Sequence, residues 1–218
     1  MTAAVALFDL DGTLVDSLED LTDAVNAMLS GFDKRPLSNS EVCRLVGKGA
    51  RNLIQRALNT ESSEDIKRGL RLFVEFNSAH IADKSRPYPG FPEVLDTLAK
   101  NNVRMAVISN KNESLSRLIL KTLNIDRHFE AICGGDTFPE MKPSPLPLLQ
   151  IAERFGTSPG EMVMIGDSIN DIQAGRLAGS TTIGCTWGYG QLHELADADY
   201  LAGSCYELLD ILTKLKMP

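Results

Sequence analysis

Five short apolar runs of β type, each separated from the next by stretches of helical periodicity, limit what this chain can fold into. The runs are residues 3–7, 104–108, 131–133, 162–165 and 181–184. Such alternation is the pattern of a parallel sheet covered by helices, so the expected fold class is α/β, a Rossmann-like parallel sheet. Between the runs, Leu115, Leu118, Ile119 and Leu123 mark one helical face, and Leu148, Leu149, Ala152 and Phe155 another. Ser144 followed by Pro145 predicts the start of the latter helix. The leucine-rich residues 208–215 read as a closing helix.

One region breaks the rhythm. From about residue 16 to 84 only helical patterns occur. Ser17-Leu18-Glu19-Asp20 reads as a helix start leading into Leu21, Val25, Met28 and Leu29, and a longer stripe runs through Ile66, Leu70, Phe73, Val74 and Ile81. Arg86-Pro87-Tyr88-Pro89-Gly90 then punctuates the chain and the alternation resumes. The expected organisation is a sheet domain built from 1–15 and 85–218, with an all-helical cap, 16–84, inserted after the first strand.

In open α/β sheets ligands bind beyond the carboxyl ends of the strands. Four polar clusters fall there: Asp9-Leu10-Asp11-Gly12-Thr13, Ser109-Asn110-Lys111, Lys142-Pro143 in a loop beyond the third strand, and Gly166-Asp167-Ser168-Ile169-Asn170-Asp171. In extended backbone Asp9 and Asp11 would point to one side and repel. Two like charges ~3.5 Å apart cost roughly 5 kcal/mol at an effective dielectric of 20. Asp9, Asp11 and Asp167 form a hard oxygen set without neighbouring Cys or His, which suits Mg²⁺ rather than zinc and offsets that repulsion. Read as a calcium loop, the first cluster fails, because Gly12 falls at position four rather than six.

Charge and targeting signals narrow the function classes. A net charge of −7 argues against nucleic-acid or anionic-membrane partners. No apolar run reaches membrane-spanning length, and no basic stretch precedes Asp9, so a cytoplasmic location is expected. Cys43, Cys133, Cys185 and Cys205 form no CxxC pair and read as reduced thiols. His80, His128 and His193 have no companions at ligand spacing, and Trp187-Gly188-Tyr189-Gly190 reads as a loop with packed aromatics. No pattern assigns an oligomeric state.

In order, Asp-x-Asp-Gly-Thr, Ser-Asn, Lys-Pro and Gly-Asp-x-x-x-Asp resemble the motifs of the haloacid dehalogenase superfamily of phosphotransferases. With Val46-Gly47-Lys48-Gly49 and Gly134-Gly135-Asp136, the chain is similar to bacterial phosphoglycolate phosphatases. The resemblance implies Asp9 as nucleophile forming an aspartyl-phosphate and Asp11 as general acid and base. It implies Mg²⁺ on the Asp9 carboxylate, the Asp11 backbone carbonyl and the Asp167 carboxylate, with Ser109 and Lys142 holding phosphoryl oxygens and Asp171 supporting from behind. Thr13 and Asn110 join the expected substrate-binding set through the first and second motifs.

In the cap, Gly47 and Gly49 would let backbone approach the ligand, and Lys48 and Arg51 would suit a small anion. Solvated charges at a helix start are the alternative reading of that pair. The expected partner is a small phosphorylated metabolite such as 2-phosphoglycolate. Other readings remain: a sugar-phosphate phosphatase, a pyrophosphatase, a phosphomutase related to β-phosphoglucomutase, or, outside enzymes, a phospho-accepting signalling domain. By the resemblance, a dehalogenase would lack Asp at position 11.

Overall fold

Strand β1, Val5–Phe8, is buried on both faces, as the central strand of a parallel sheet must be. The computed structural model describes residues 5–215, so Ala3 and Ala4 of the expected first strand lie outside the described residues. After β1 come β2 (Val15–Asp16) and helices α1 (Leu18–Ser30), α2 (Asn39–Cys43), α3 (Gly49–Leu58) and α4 (Ser63–Ala79). The chain returns through β3 (Arg86–Pro87), α5 (Phe91–Lys100), β4 (Arg104–Ile108), α6 (Glu113–Thr122), β5 (Ala131–Cys133) and α7 (Leu146–Phe155). It ends with β6 (Met162–Gly166), α8 (Ile169–Ala178), β7 (Thr181–Cys185), β8 (Tyr200–Ala202) and α9 (Cys205–Lys214).

Six strands form one all-parallel sheet in the order β5-β4-β1-β6-β7-β8, with Val5 opposite Arg104 on one side and Met162 on the other. Alternation along the strands divides the core into two layers. Ala6 and Phe8, with Val163 and Ile165, face α5, α6 and α9 through residues such as Leu95, Ile119 and Leu208. Val5 and Leu7, with Met162 and Met164, face Leu148 and Ile151 of α7 and Ala174 of α8. Helices α1 to α4 bury a separate apolar cluster that includes Val25, Met28, Ile54 and Phe73.

Several expected boundaries move. The sixth strand, β8, is a three-residue apolar stretch at the sheet edge, too short to stand out in the sequence, with Tyr200 and Leu201 exposed. The two-residue strands β2 and β3 pair antiparallel, Val15 with Pro87 and Asp16 with Arg86, so Asp16 is extended rather than helical. They place both crossings to the helical segment side by side. Helix α7 begins at Leu146: Pro145 takes the cap position and Ser144 accepts from the Leu146 N–H through its side-chain oxygen at 3.2 Å. At α1, neither side chain of the expected Ser17–Asp20 cap serves the helix end. Ser17 donates to Asp11, and Asp20 accepts from the Lys84 and Ser85 backbone N–H groups at 3.1 and 2.7 Å. Buried Asp20 thus ties the first helix to the returning chain.

Candidate active site

The carboxyl ends of β1, β4 and β6 and the loop before α7 deliver the four sequence clusters to one cleft. The Asp9 N–H still bonds the Ile165 carbonyl at 2.9 Å, so the side chain is aimed by the sheet itself. The chain then turns through Gly12, whose φ of +88° few other residues tolerate and whose missing Cβ leaves room for the Asp167 carboxylate. Strand geometry therefore ends before Asp11, whose carboxylate takes its own partners, Ser17 and Lys111.

The like charges that do crowd are Asp9, Asp167 and Asp171, whose carboxylate oxygens lie within 4.8 Å of one another. Lys142, only 2 % exposed, spans two of them, with Nζ 2.8 Å from Asp9 Oδ1 and 2.6 Å from Asp171 Oδ1. The other Asp171 oxygen accepts from Ser168 N–H and hydroxyl at 3.0 and 2.7 Å, which also caps α8. Asp167 accepts from Thr13 Oγ1 at 3.0 Å and from the Tyr189 and Gly190 N–H groups at 2.6 and 3.3 Å. Three carboxylates against one ammonium leave excess negative charge in a dry place.

Proton affinities follow from that imbalance. Burial pushes the Asp9 pKa up to about 6, with Lys142 pulling the other way and Asp171 adding to the rise. Burial, then the charges of Asp9 and Asp171, pushes Asp167 up to about 7. For Lys142, burial opposes the charge, but Asp171 and Asp9 outweigh it and hold the ammonium above its usual pKa. At neutral pH the cluster asks for a counter-ion. Its donors are all hard oxygens, so the residues fit a divalent cation such as Mg²⁺.

Asp11 faces a different set. Its Oδ1 accepts from Ser17 Oγ at 2.6 Å, and Lys111 Nζ lies 3.2 Å from both carboxylate oxygens. Lys111 was not among the sequence-expected site residues, although it directly follows Ser109-Asn110 at the strand end. Ser109 is buried, lines the cleft and accepts the Lys111 N–H at 3.3 Å. Asn110 Nδ2 donates to the Lys142 carbonyl at 2.8 Å and the Gly47 carbonyl at 2.9 Å. Asn170 Nδ2 also donates to Gly47, at 3.2 Å, so two core amides hold one cap carbonyl over the site. Gly47 presents that carbonyl with φ +104°.

Not every expected residue meets the cleft in the expected way. The Thr13 hydroxyl is committed to Asp167, and its carbonyl accepts from Trp187 Nε1 at 3.2 Å. Gly49 lines the inner cleft, Lys48 lines an outer cavity with Arg44 and Arg56, and exposed Arg51 lines neither. Tyr189 goes beyond packing: its hydroxyl bonds the Ser17 N–H and the Asp16 carboxylate at 2.7 and 2.9 Å, linking the β7 loop to the first crossing. The strand-end rule, applied to β7, would have found it.

A family model described as haloacid dehalogenase-like hydrolase matches residues 6–185. The chain belongs to the haloacid dehalogenase-like hydrolases. It is an enzyme of that family, and its six-stranded α/β fold is the family's. A phosphoglycolate phosphatase of Chromobacterium violaceum is 40 % identical over 210 residues, covering 94 % of each chain. One from Aquifex aeolicus is 37 % identical over 193 residues, covering 87 % of each. Among solved structures, a predicted phosphoglycolate phosphatase from Haemophilus somnus superposes with a TM-score of 0.91 at 31 % identity, covering 95 % of this chain and 97 % of that one. Among the described residues no helix is long and apolar enough to cross a membrane.

Proposed function

We propose that this hydrolase is a Mg²⁺-dependent phosphomonoesterase that works through an aspartyl-phosphate on Asp9 and takes 2-phosphoglycolate as its substrate. The observation that carries the reading is the pairing of Asp9 with buried Lys142 at 2.8 Å, at the end of the central strand and beneath a cap carbonyl held by Asn110 and Asn170. The substrate comes from the names of the relatives and the extent of their similarity.

In the first step an Asp9 oxygen attacks phosphorus and the ester P–O bond breaks. Asp11 gives the departing alkoxide its proton. In the second, water attacks phosphorus, Asp11 takes the proton, and the bond to Asp9 breaks to release inorganic phosphate. Lys142 and Ser109 hold phosphoryl oxygens, and Asp171 fixes Lys142 from behind. Asp9, Asp167 and the Asp11 carbonyl would hold Mg²⁺, which supplies charge neutralisation to a phosphoryl group approaching a carboxylate. Residues 16–84 serve as a cap that excludes bulk water, with 1–15 and 85–218 as the catalytic core.

The test is phosphate release from 2-phosphoglycolate, pyrophosphate, sugar phosphates, mononucleotides and β-glucose 1-phosphate, each with Mg²⁺ and with EDTA. Strong Mg²⁺-dependent preference for 2-phosphoglycolate is expected. Weak release from every compound would overturn the substrate, and conversion of β-glucose 1-phosphate without phosphate release would make the enzyme a mutase.

A further inference from the structure

Among the described residues two cations line the inner cleft, Lys142 and Lys111, and the phosphoryl chemistry occupies only the first. Lys111 is almost wholly buried and touches both Asp11 oxygens evenly at 3.2 Å, longer than a tight charge-assisted bond. On the cap side the cleft is walled by apolar groups, Leu21, Leu53 and Phe73, with Leu115 from the core. Set into that wall is Asn77 of α4, 2 % exposed, whose Nδ2 has no hydrogen-bond partner.

A buried amide left unpaired is costly, and folded proteins rarely leave one so. Asn77 also stands four residues after Phe73, on the apolar stripe of α4, where another hydrophobe would complete the packing. Its missing partner therefore points to a ligand. We infer that Lys111 and Asn77 form a carboxylate subsite that reads the acid end of the substrate. The inference rests on the phosphomonoesterase reading above and adds the residues that set its specificity.

The chemistry matches on both sides. A carboxylate only accepts hydrogen bonds, and the ammonium of Lys111 and the amide N–H of Asn77 only donate. The apolar wall offers few partners for the hydroxyls of a sugar phosphate, so polyhydroxylated substrates lose bonds to water without replacement. Lys111 is two residues from Ser109, so one loop holds both ends of the molecule. The substrate class is a short carboxylated phosphomonoester. When its carboxylate arrives, Lys111 exchanges Asp11 for it, and Asp11 keeps the Ser17 hydroxyl. Lys48 and Arg51, on the outer cleft and the exposed surface, are not needed for this recognition.

The test compares 2-phosphoglycolate with ethyl phosphate, similar in size but without the carboxylate, in the Mg²⁺-loaded enzyme. Because Lys111 also touches Asp11, kcat falls for both substrates in Lys111→Met, and the informative quantity is the ratio of the two kcat/KM values. That ratio should collapse by at least about tenfold in Lys111→Met and in Asn77→Asp, chiefly through KM for the acid, and should survive in Lys111→Arg. Circular dichroism checks folding, and Asn77→Asp with Lys111→Arg decides the matter if Lys111→Met does not fold. A wild type that prefers the acid, with variants that keep the ratio, overturns the subsite and leaves the substrate reading standing. A wild type indifferent to the carboxylate overturns the substrate reading and the subsite with it.

Discussion

Asp9 is held where its charge is unwelcome, and that discomfort is measurable. Its pKa rises from the ordinary carboxylate range to about 6, so the folded protein retains a proton there that the unfolded chain has already lost. The folded state is therefore penalised as pH rises from about 4 through about 6, and the penalty is complete above that. In EDTA, Asp9→Asn should raise Tm at pH 7.5 and leave it nearly unchanged at pH 3, below the unfolded pKa, where Asp9 is largely protonated in both states. With Mg²⁺ the order should reverse at pH 7.5, because a divalent ion takes the place of the protons and favours the wild-type carboxylate. Thermal melts across that range decide it, and equal Tm values in EDTA at every pH would remove the electrostatic basis for the metal. Lys142 and Asp171 show why this site survives burial: each of their polar groups has a partner of opposite charge or a donor, down to the Ser168 hydroxyl.

The proposed cap, α1–α4, is fastened to the sheet-bearing part of the chain by few polar contacts. Two amides, Asn110 and Asn170, meet the Gly47 carbonyl, while β2 and β3 with the Asp20 bonds to Lys84 and Ser85 secure the crossings. A single hydrogen bond contributes about 1 kcal/mol, so Asn170→Ala should lower kcat/KM roughly fivefold while Tm barely changes. Hydrogen exchange should quicken at residues 46–50 and not in β1 or β6. Unchanged exchange there would mean that the latch does not hold the cap. The helices of this segment were legible in the sequence because stripes such as Leu21, Val25 and Met28 are strongly periodic. Its fastenings were not, because Ser17 and Asp20 fit a helix cap equally well, and only the fold diverts them to Asp11 and Ser85. Strand β8 escaped for a different reason: as a short edge strand, its Tyr200-Leu201-Ala202 is only three residues long.

Over the entire molecule the charge is acidic, while the proposed substrate is an anion. The net charge of −7 gives no long-range attraction, so capture depends on local donors: Lys142 and Lys111 inside, Arg44, Lys48 and Arg56 at the outer cavity. The strand-end rule found Asp9, Asp11, Ser109, Lys142, Asp167 and Asp171, since each follows a recognisable strand or belongs to an ordered motif. Lys111 and Tyr189 also follow strand ends, but their contacts with Asp11 and with Ser17 and Asp16 are visible only in the fold, and Asn77, in the middle of α4, had no signal in the sequence. The chemistry assigned to all of them depends on phosphorus passing through Asp9. Rapid acid quench during turnover of 2-phosphoglycolate with Mg²⁺, then borohydride reduction and peptide mass analysis, tests this directly. An acyl phosphate is reduced under these conditions, so Asp9 should be recovered as homoserine, and Asp11 and Asp167 unmodified. Sustained turnover with no reduction product at position 9, or with the product at another carboxylate, would contradict the mechanism.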